Sequence, residues 1–277
     1  MNISLFSQIR MIAQDEFKMS IKTKKALLCL ALYLSFFILT GLIWNKLYSE
    51  VVTHAGQFDI QERDIQEISN MISTDIQNRY EFVKHILNIP PVALITFLIS
   101  LLLAPSIALL MSYDSISAEY SNQSIRYLLI RCRRTGFYLG KLIGQCILIY
   151  FIIILGFFIM YVFTFFKYSL TQFLPTFMKC MQYSLYTCIY ATTQVSFIVL
   201  LSSLCKKPMI SLLWCVFAPF LLHIFAWKYL PFIIPFKYID GFMHYETSAL
   251  INSILAFTLF TIFNSALGCF LFTRRNI

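Results

Sequence analysis

Arg126, Arg131, Arg133, Arg134 and Lys141 fall within the stretch 114–141, which separates two long apolar runs. Cations at that density require water, so the stretch must sit at one face of a membrane. Ser121 or Asn122 can cap a short helix over about 122–131, because a side-chain oxygen there can accept from an exposed backbone N–H. Ile125, Leu128 and Leu129 then share one face at helical spacing. A solvated loop has little need for an apolar face, and the expectation is that this one docks into another protein.

Other chemistries fail on spacing. Gly136 to Lys141 suggests a phosphate-binding loop, but it is one residue short of GxxxxGK[ST], and Leu142 replaces the hydroxyl that would hold magnesium. No GxSG, HExxH or pair of membrane aspartates is present, which argues against an intramembrane protease. The eight cysteines form no CxxC; most fall in apolar runs, Cys132 beside the basic stretch and Cys180 near the opposite surface, so neither a disulfide framework nor a metal site is expected. His223 is the one ionisable side chain at membrane depth, and reads either as a hydrogen-bonded packing residue or as a ligand or proton relay. Thr192, Thr193, Gln194, Asn252 and Asn264 read as interhelical hydrogen-bonding groups, or as lining of a path.

The elements that position these residues follow from composition. With 59% hydrophobic residues, 13% charged residues and a mean hydropathy of +0.73, the chain is an integral membrane protein. About 20 apolar residues cross a bilayer core as a helix. Six runs qualify, at 26–44, 92–111, 142–166, 183–204, 209–226 and 250–272. None contains Asp, Glu, Lys or Arg, which disfavours a carrier driven by an ion gradient. The expected fold is an all-α membrane bundle of six transmembrane helices forming one domain over 1–277. An amphipathic arm, 1–25, lies on the inner leaflet, with Phe6, Ile9, Ala13 and Phe17 on its apolar face and Gln8, Arg10, Gln14, Asp15 and Lys18 pointing elsewhere. The outward segment 45–89 carries Ile65, Ile68, Ile72 and Ile76 at helical spacing, and 227–237, with Pro231 and Pro235, is expected to dip back as a re-entrant segment.

Sidedness follows from charge. Of the 22 Lys and Arg, fourteen lie on the side of the termini and of 114–141, and eight on the other; the acidic residues divide four to nine in the opposite sense. The positive-inside rule puts both termini and the 114–141 loop in the cytoplasm. The net charge of +9 is therefore topological, and nucleic acid is not an expected partner.

Read in order, the chain resembles the permease subunit of the ABC-2 type of ABC transporter. That family carries an acidic residue in the arm, matched by Glu16, and a loop pattern matched by Asp114, Glu119, Ser124, Ile125, Leu128, Leu129, Arg134, Gly140 and Lys141. The ending Phe272-Thr273-Arg274-Arg275-Asn276 is similar to the family's F-x-x-R-D. Asn122-Gln123-Ser124 replaces the usual Gly-Thr, and Cys132-Arg133 replaces Pro-x-Ser. The resemblance implies a multi-pass protein of the cytoplasmic (inner) membrane, with no cofactor of its own. ATP and magnesium would be held by a separate cytosolic ATPase subunit, and a second permease copy, identical or paralogous, would complete the pump. Glu119, Ser124, Ile125, Leu128, Leu129, Arg131, Arg134 and Lys141 would form or support the coupling helix, and the arm with Glu16 a second cytosolic contact. A path between copies would be lined by Thr96, Ser100, Ser106, Ser211 and His223 and would suit export of a hydrophobic or amphipathic compound such as a drug, peptide antibiotic or lipid-linked molecule. The alternative is a non-transporting scaffold that recruits a cytosolic protein through the basic loop.

Overall fold

The computed structural model describes residues 4–55, 91–167, 173–229, 238–242 and 247–275, and all described regular structure is helical. In chain order the helices are α1 (Leu5–Lys22), α2 (Lys25–Ala55), α3 (Pro91–Ser112), α4 (Ser117–Ser121), α5 (Ser124–Arg131), α6 (Arg134–Lys167), α7 (Phe173–Leu204), α8 (Pro208–Tyr229) and α9 (Thr247–Arg274), with a 3-10 turn at Asp240–Phe242. Each of the six apolar runs lies within one long helix. By length and apolarity, four segments can cross a membrane: Ala93–Ser121, Arg134–Val162, Leu174–Leu204 and Thr247–Arg274. The pair α1 and α2, bent by 67°, makes a fifth if taken as one span, and Pro208–Pro219 is a shorter apolar helix. The isoleucine stripe of 65–76 and most of the suggested re-entrant segment lie outside the described residues.

Helix α7 is the centre of the bundle and packs on α3, α6, α8 and α9. Many of its inward positions are small or hydroxylated, including Ser184, Thr187, Ala191, Ser196 and Ser202. Thr187 and Ser196 donate back to the carbonyls of Tyr183 (2.9 Å) and Thr193 (2.8 Å), so their hydroxyls are satisfied without water while neighbours approach closely. Thr193 also donates to the Phe257 carbonyl at 3.2 Å and lies 3.1 Å from the Thr261 hydroxyl, bridging α7 to α9. At the end remote from 114–141, Phe242 stacks between Tyr186 (5.0 Å between ring centroids) and Phe257 (5.4 Å), which fixes the 3-10 turn on α7 and α9.

The arm packs on its own chain by a face that includes Gln8, which the sequence pattern turns elsewhere. Helix α1 starts at Ser4, whose hydroxyl accepts from the Ser7 N–H at 3.3 Å, and packs lengthwise on α6. The face that is buried carries Gln8, Ala13 and Ser20, while Phe6 is 78% exposed. A hydrophobicity pattern cannot find this face, since Gln8 and Glu16 turn inward only because α6 offers them partners. The seat is a row of glycines at i, i+4 and i+8. A Cβ on Gly136 would meet Gln8, one on Gly140 would meet Ile12, and one on Gly144 would meet Glu16, so the helices run parallel and in register. Lys24, with φ 57°, makes the turn from α1 into α2.

The glycine row predicts a ranking of substitutions. A Cβ at Gly140 would lie 2.7 Å from the Ile12 Cβ and 3.2 Å from the Ile9 carbonyl oxygen, whereas at Gly136 the closest atoms belong to the ends of flexible side chains, Gln8 at 3.2 Å and Leu5 at 3.3 Å. Gly140→Ala should therefore destabilise the purified protein by about 1–3 kcal/mol, and Gly136→Ala by clearly less, in thermal melting or denaturant titration.

Candidate functional site

Among the described residues, charge concentrates where the start of α6 meets α1, α4 and α5. Lys141 is buried, and its ammonium donates to Glu16 of α1 at 2.5 Å and to Glu119 of α4 at 3.2 Å. Gln145, one turn further along α6 and 1% exposed, donates to the other Glu16 oxygen at 2.6 Å. The Gln145 carbonyl oxygen lies 3.5 Å from the Ser112 hydroxyl of α3. Ser124, the first residue of α5, donates to the Glu119 carboxylate. One ammonium and one amide thus join four helices, and the Ser124 hydroxyl adds α5 through Glu119. Its charges are stable in a dehydrated place only because each is paired and each carboxylate has a second donor.

Around this knot the helix ends are closed. Lys25, opening α2, pairs with Asp114 and donates to the Met111 carbonyl at 3.0 Å. The Ser202 hydroxyl of α7 accepts from the N–H groups of Ile116 and Ser117, both at 3.2 Å, which closes the start of α4. Ser211 of α8 donates to the Tyr113 carbonyl at 2.5 Å. Arg134 donates to the carbonyls of Thr273 (2.8 Å) and Arg275 (2.9 Å) at the end of α9, placing a cation where the helix dipole is negative. Arg275 donates to the Ser203 carbonyl and lies over the Tyr120 ring at 4.4 Å. The Gln8 carbonyl oxygen accepts from the Arg133 N–H at 3.2 Å, joining α1 to the turn before α6.

Within this frame α5 is held with a fixed rotation. Ile125 is 2% exposed, and Leu128 and Leu129 are half-buried against the chain's own core. Ile125 therefore anchors the helix, and Leu128 and Leu129 pack against the core with part of their surface still open. Turned outward are Arg126, Tyr127 (75% exposed) and Ile130 (82% exposed). Neither Ser121 nor Asn122 caps α5: Ser121 donates to the Ala118 carbonyl, and the cap position is Gln123, with φ 57°. That left-handed residue stands where the resembling loop pattern has glycine, because an L side chain is disfavoured there.

Glu119, Ser124, Arg134 and Lys141 thus engage partners within the chain, with Glu16 among them. Of the arm residues, Phe6 is exposed, Ile9 and Phe17 are half-buried and Ala13 is buried. The path residues divide. Thr96, Ser100 and Ser211 are enclosed, and Ser100 lies 2.8 Å from the Tyr33 hydroxyl and donates to the Thr96 carbonyl at 2.6 Å, so these three fasten helices and do not line an open path. Ser106 is exposed. The side chains of Arg131 and His223 lie outside the described residues. No group of three or more metal-ligating side chains occurs among the described residues. The pairings of Lys141 with Glu16 and of Lys25 with Asp114 cross many residues of sequence, so no local pattern marks them. For the first alone there is a sequence signal, the spacing of Gly136, Gly140 and Gly144, which marks a close helix contact.

Two outcomes are expected. Lys141→Met leaves two carboxylates facing each other with the ammonium gone, and should cost about 3–5 kcal/mol of stability, whereas Glu16→Gln keeps a hydrogen-bonding group at the knot and should cost less. Thermal melting of both variants, with limited proteolysis between α1 and α2, measures the ranking. Gln123→Gly should raise stability by about 1 kcal/mol, since it relieves a left-handed side-chain residue, and the same melting series reads the sign.

Comparison with known proteins agrees with this architecture. No curated protein matches the chain. The family model described as ABC-2 family transporter protein matches residues 10–275, a span that holds the glycine row, Glu16, the basic loop and the closing Arg275. The chain is a multi-pass membrane protein that belongs to the ABC-2 family of transporter proteins.

Proposed function

We propose that this chain is the permease subunit of an ABC exporter, powered by a separate cytosolic ATPase that docks on α5. The observation that carries the reading is the outward face of α5, where Arg126, Tyr127 and Ile130 project while Ile125 anchors the helix from below. Tyrosine and arginine are among the groups that dominate buried contacts between proteins, and an exposed Ile130 beside them adds apolar area to bury. The knot at Lys141 supports the same reading, since a push on α5 reaches α4 through Ser124 and Glu119, and α6 and α1 through Lys141 and Glu16. In this arrangement both termini and the 114–141 loop are cytoplasmic, and six spans lie in the cell membrane. ATP and magnesium are held by the partner ATPase.

A second permease copy faces the exposed apolar rows of α3 and α8. Leu98, Leu102 and Ser106 follow one another at helical spacing on α3, and Met209, Leu213 and Phe217 form a similar row on α8. A path between two such surfaces is almost wholly apolar, which suits a hydrophobic or amphipathic cargo such as a drug, peptide antibiotic or lipid-linked molecule.

The experiment is co-purification of the chain with its ATPase, followed by ATP-dependent cargo movement in vesicles. Tyr127→Asp combined with Ile130→Asp should weaken the complex by about 2–4 kcal/mol while the permease melts as the wild type does. Leu128→Asp should instead lower the melting temperature. A double variant that retains the ATPase and its cargo-stimulated hydrolysis would sink the docking assignment, and wild-type complex that moves no cargo would favour a scaffold.

A further inference from the structure

The rotation of α1 on its glycine seat leaves a groove of about 610 Å³ between α1 and α6, whose walls are Phe6, Ile9 and Phe17 on one side and Ile143 and Ile147 on the other. Arg10 and Lys18 lie on its α1 edge, and both are exposed. Nothing in the knot uses these two cations, because Lys141 and Gln145 already engage Glu16. Asp15 is also exposed on α1 but does not line the groove. The α6 wall continues beyond the groove: Ile143, Ile147, Phe151, Ile154 and Phe158 are all exposed and follow one another at helical spacing along that helix. The result is an apolar track along a membrane helix that begins beside two cations.

We propose that this groove seats one anionic phospholipid, its headgroup phosphate between Arg10 and Lys18 and an acyl chain along the α6 row. An apolar partner helix would fill the walls but would leave the cations unmatched, whereas an acidic soluble ligand would match the cations and leave the apolar track facing its own solvent. A lipid with a negative headgroup satisfies both, and each cation adds to its preference over a zwitterionic lipid.

Native mass spectrometry of the full chain released from detergent, with phosphatidylglycerol and phosphatidylcholine supplied at equal concentration, tests this. The wild type should retain one phosphatidylglycerol in preference to phosphatidylcholine. Arg10→Gln with Lys18→Gln should lower phosphatidylglycerol affinity by about tenfold and erase the preference. Ile143→Trp, which leaves every charge in place and narrows the groove at an exposed position, should reduce retention of both lipids. Thermal melting of each variant shows that it is folded. An unchanged preference in the Arg10/Lys18 variant, or undiminished retention in Ile143→Trp, overturns the proposal, as does a dimer of the chain that Ile143→Trp disperses.

Discussion

A lysine ammonium shared by carboxylates from two other helices governs the basic end of this bundle. Removing charge from water is costly, and the cost is offset only where partners approach within hydrogen-bonding distance. For Glu16 to reach Lys141, α1 must lie against α6 at the level of Gly140 and Gly144, and any side chain at Gly140 would hold it away. The glycine row and the ion pair are therefore one device. The row permits the approach, and the pair selects the register at which it occurs.

The same requirement shapes the surrounding helix ends. Helices that stop at a membrane surface expose carbonyls and N–H groups that need partners. Here they are met by side chains from other helices: Arg134 at the end of α9, Arg275 at the end of α7, and Ser202 at the start of α4. Few of these groups can move alone without leaving a buried polar atom unpaired. The basic end is thus one linked polar unit, with Arg126, Tyr127 and Ile130 of α5 on its outer face. Among the described residues, the opposite end is held by ring stacking of Phe242 between Tyr186 and Phe257.

An exporter in the proposed arrangement needs stiff links at the basic end. Work delivered at α5 must travel through stiff polar links before it reaches the apolar spans, where the cargo meets only weak and non-directional contacts. Helix α9 illustrates the second condition, since most of its surface faces away from the chain's own core.

Class, charge and the helices themselves were legible in the residues. The apolar runs marked six long helices, the charge asymmetry marked their ends, and the spacing of Ile125, Leu128 and Leu129 marked α5 as amphipathic, because each of these properties is local to a segment. Which way an amphipathic helix turns is not local. Ile125 points into the bundle because a core lies behind it, and Gln8 is buried because Arg133 offers its N–H there; neither neighbour is close in sequence. By itself, then, the sequence determined that this chain is a helical membrane protein with a basic amphipathic elbow. Only the tertiary structure decided that Arg126, Tyr127 and Ile130 face outward and that Lys141 is held by Glu16 and Glu119, since burial and ion pairing depend on distances between helices that no periodicity records.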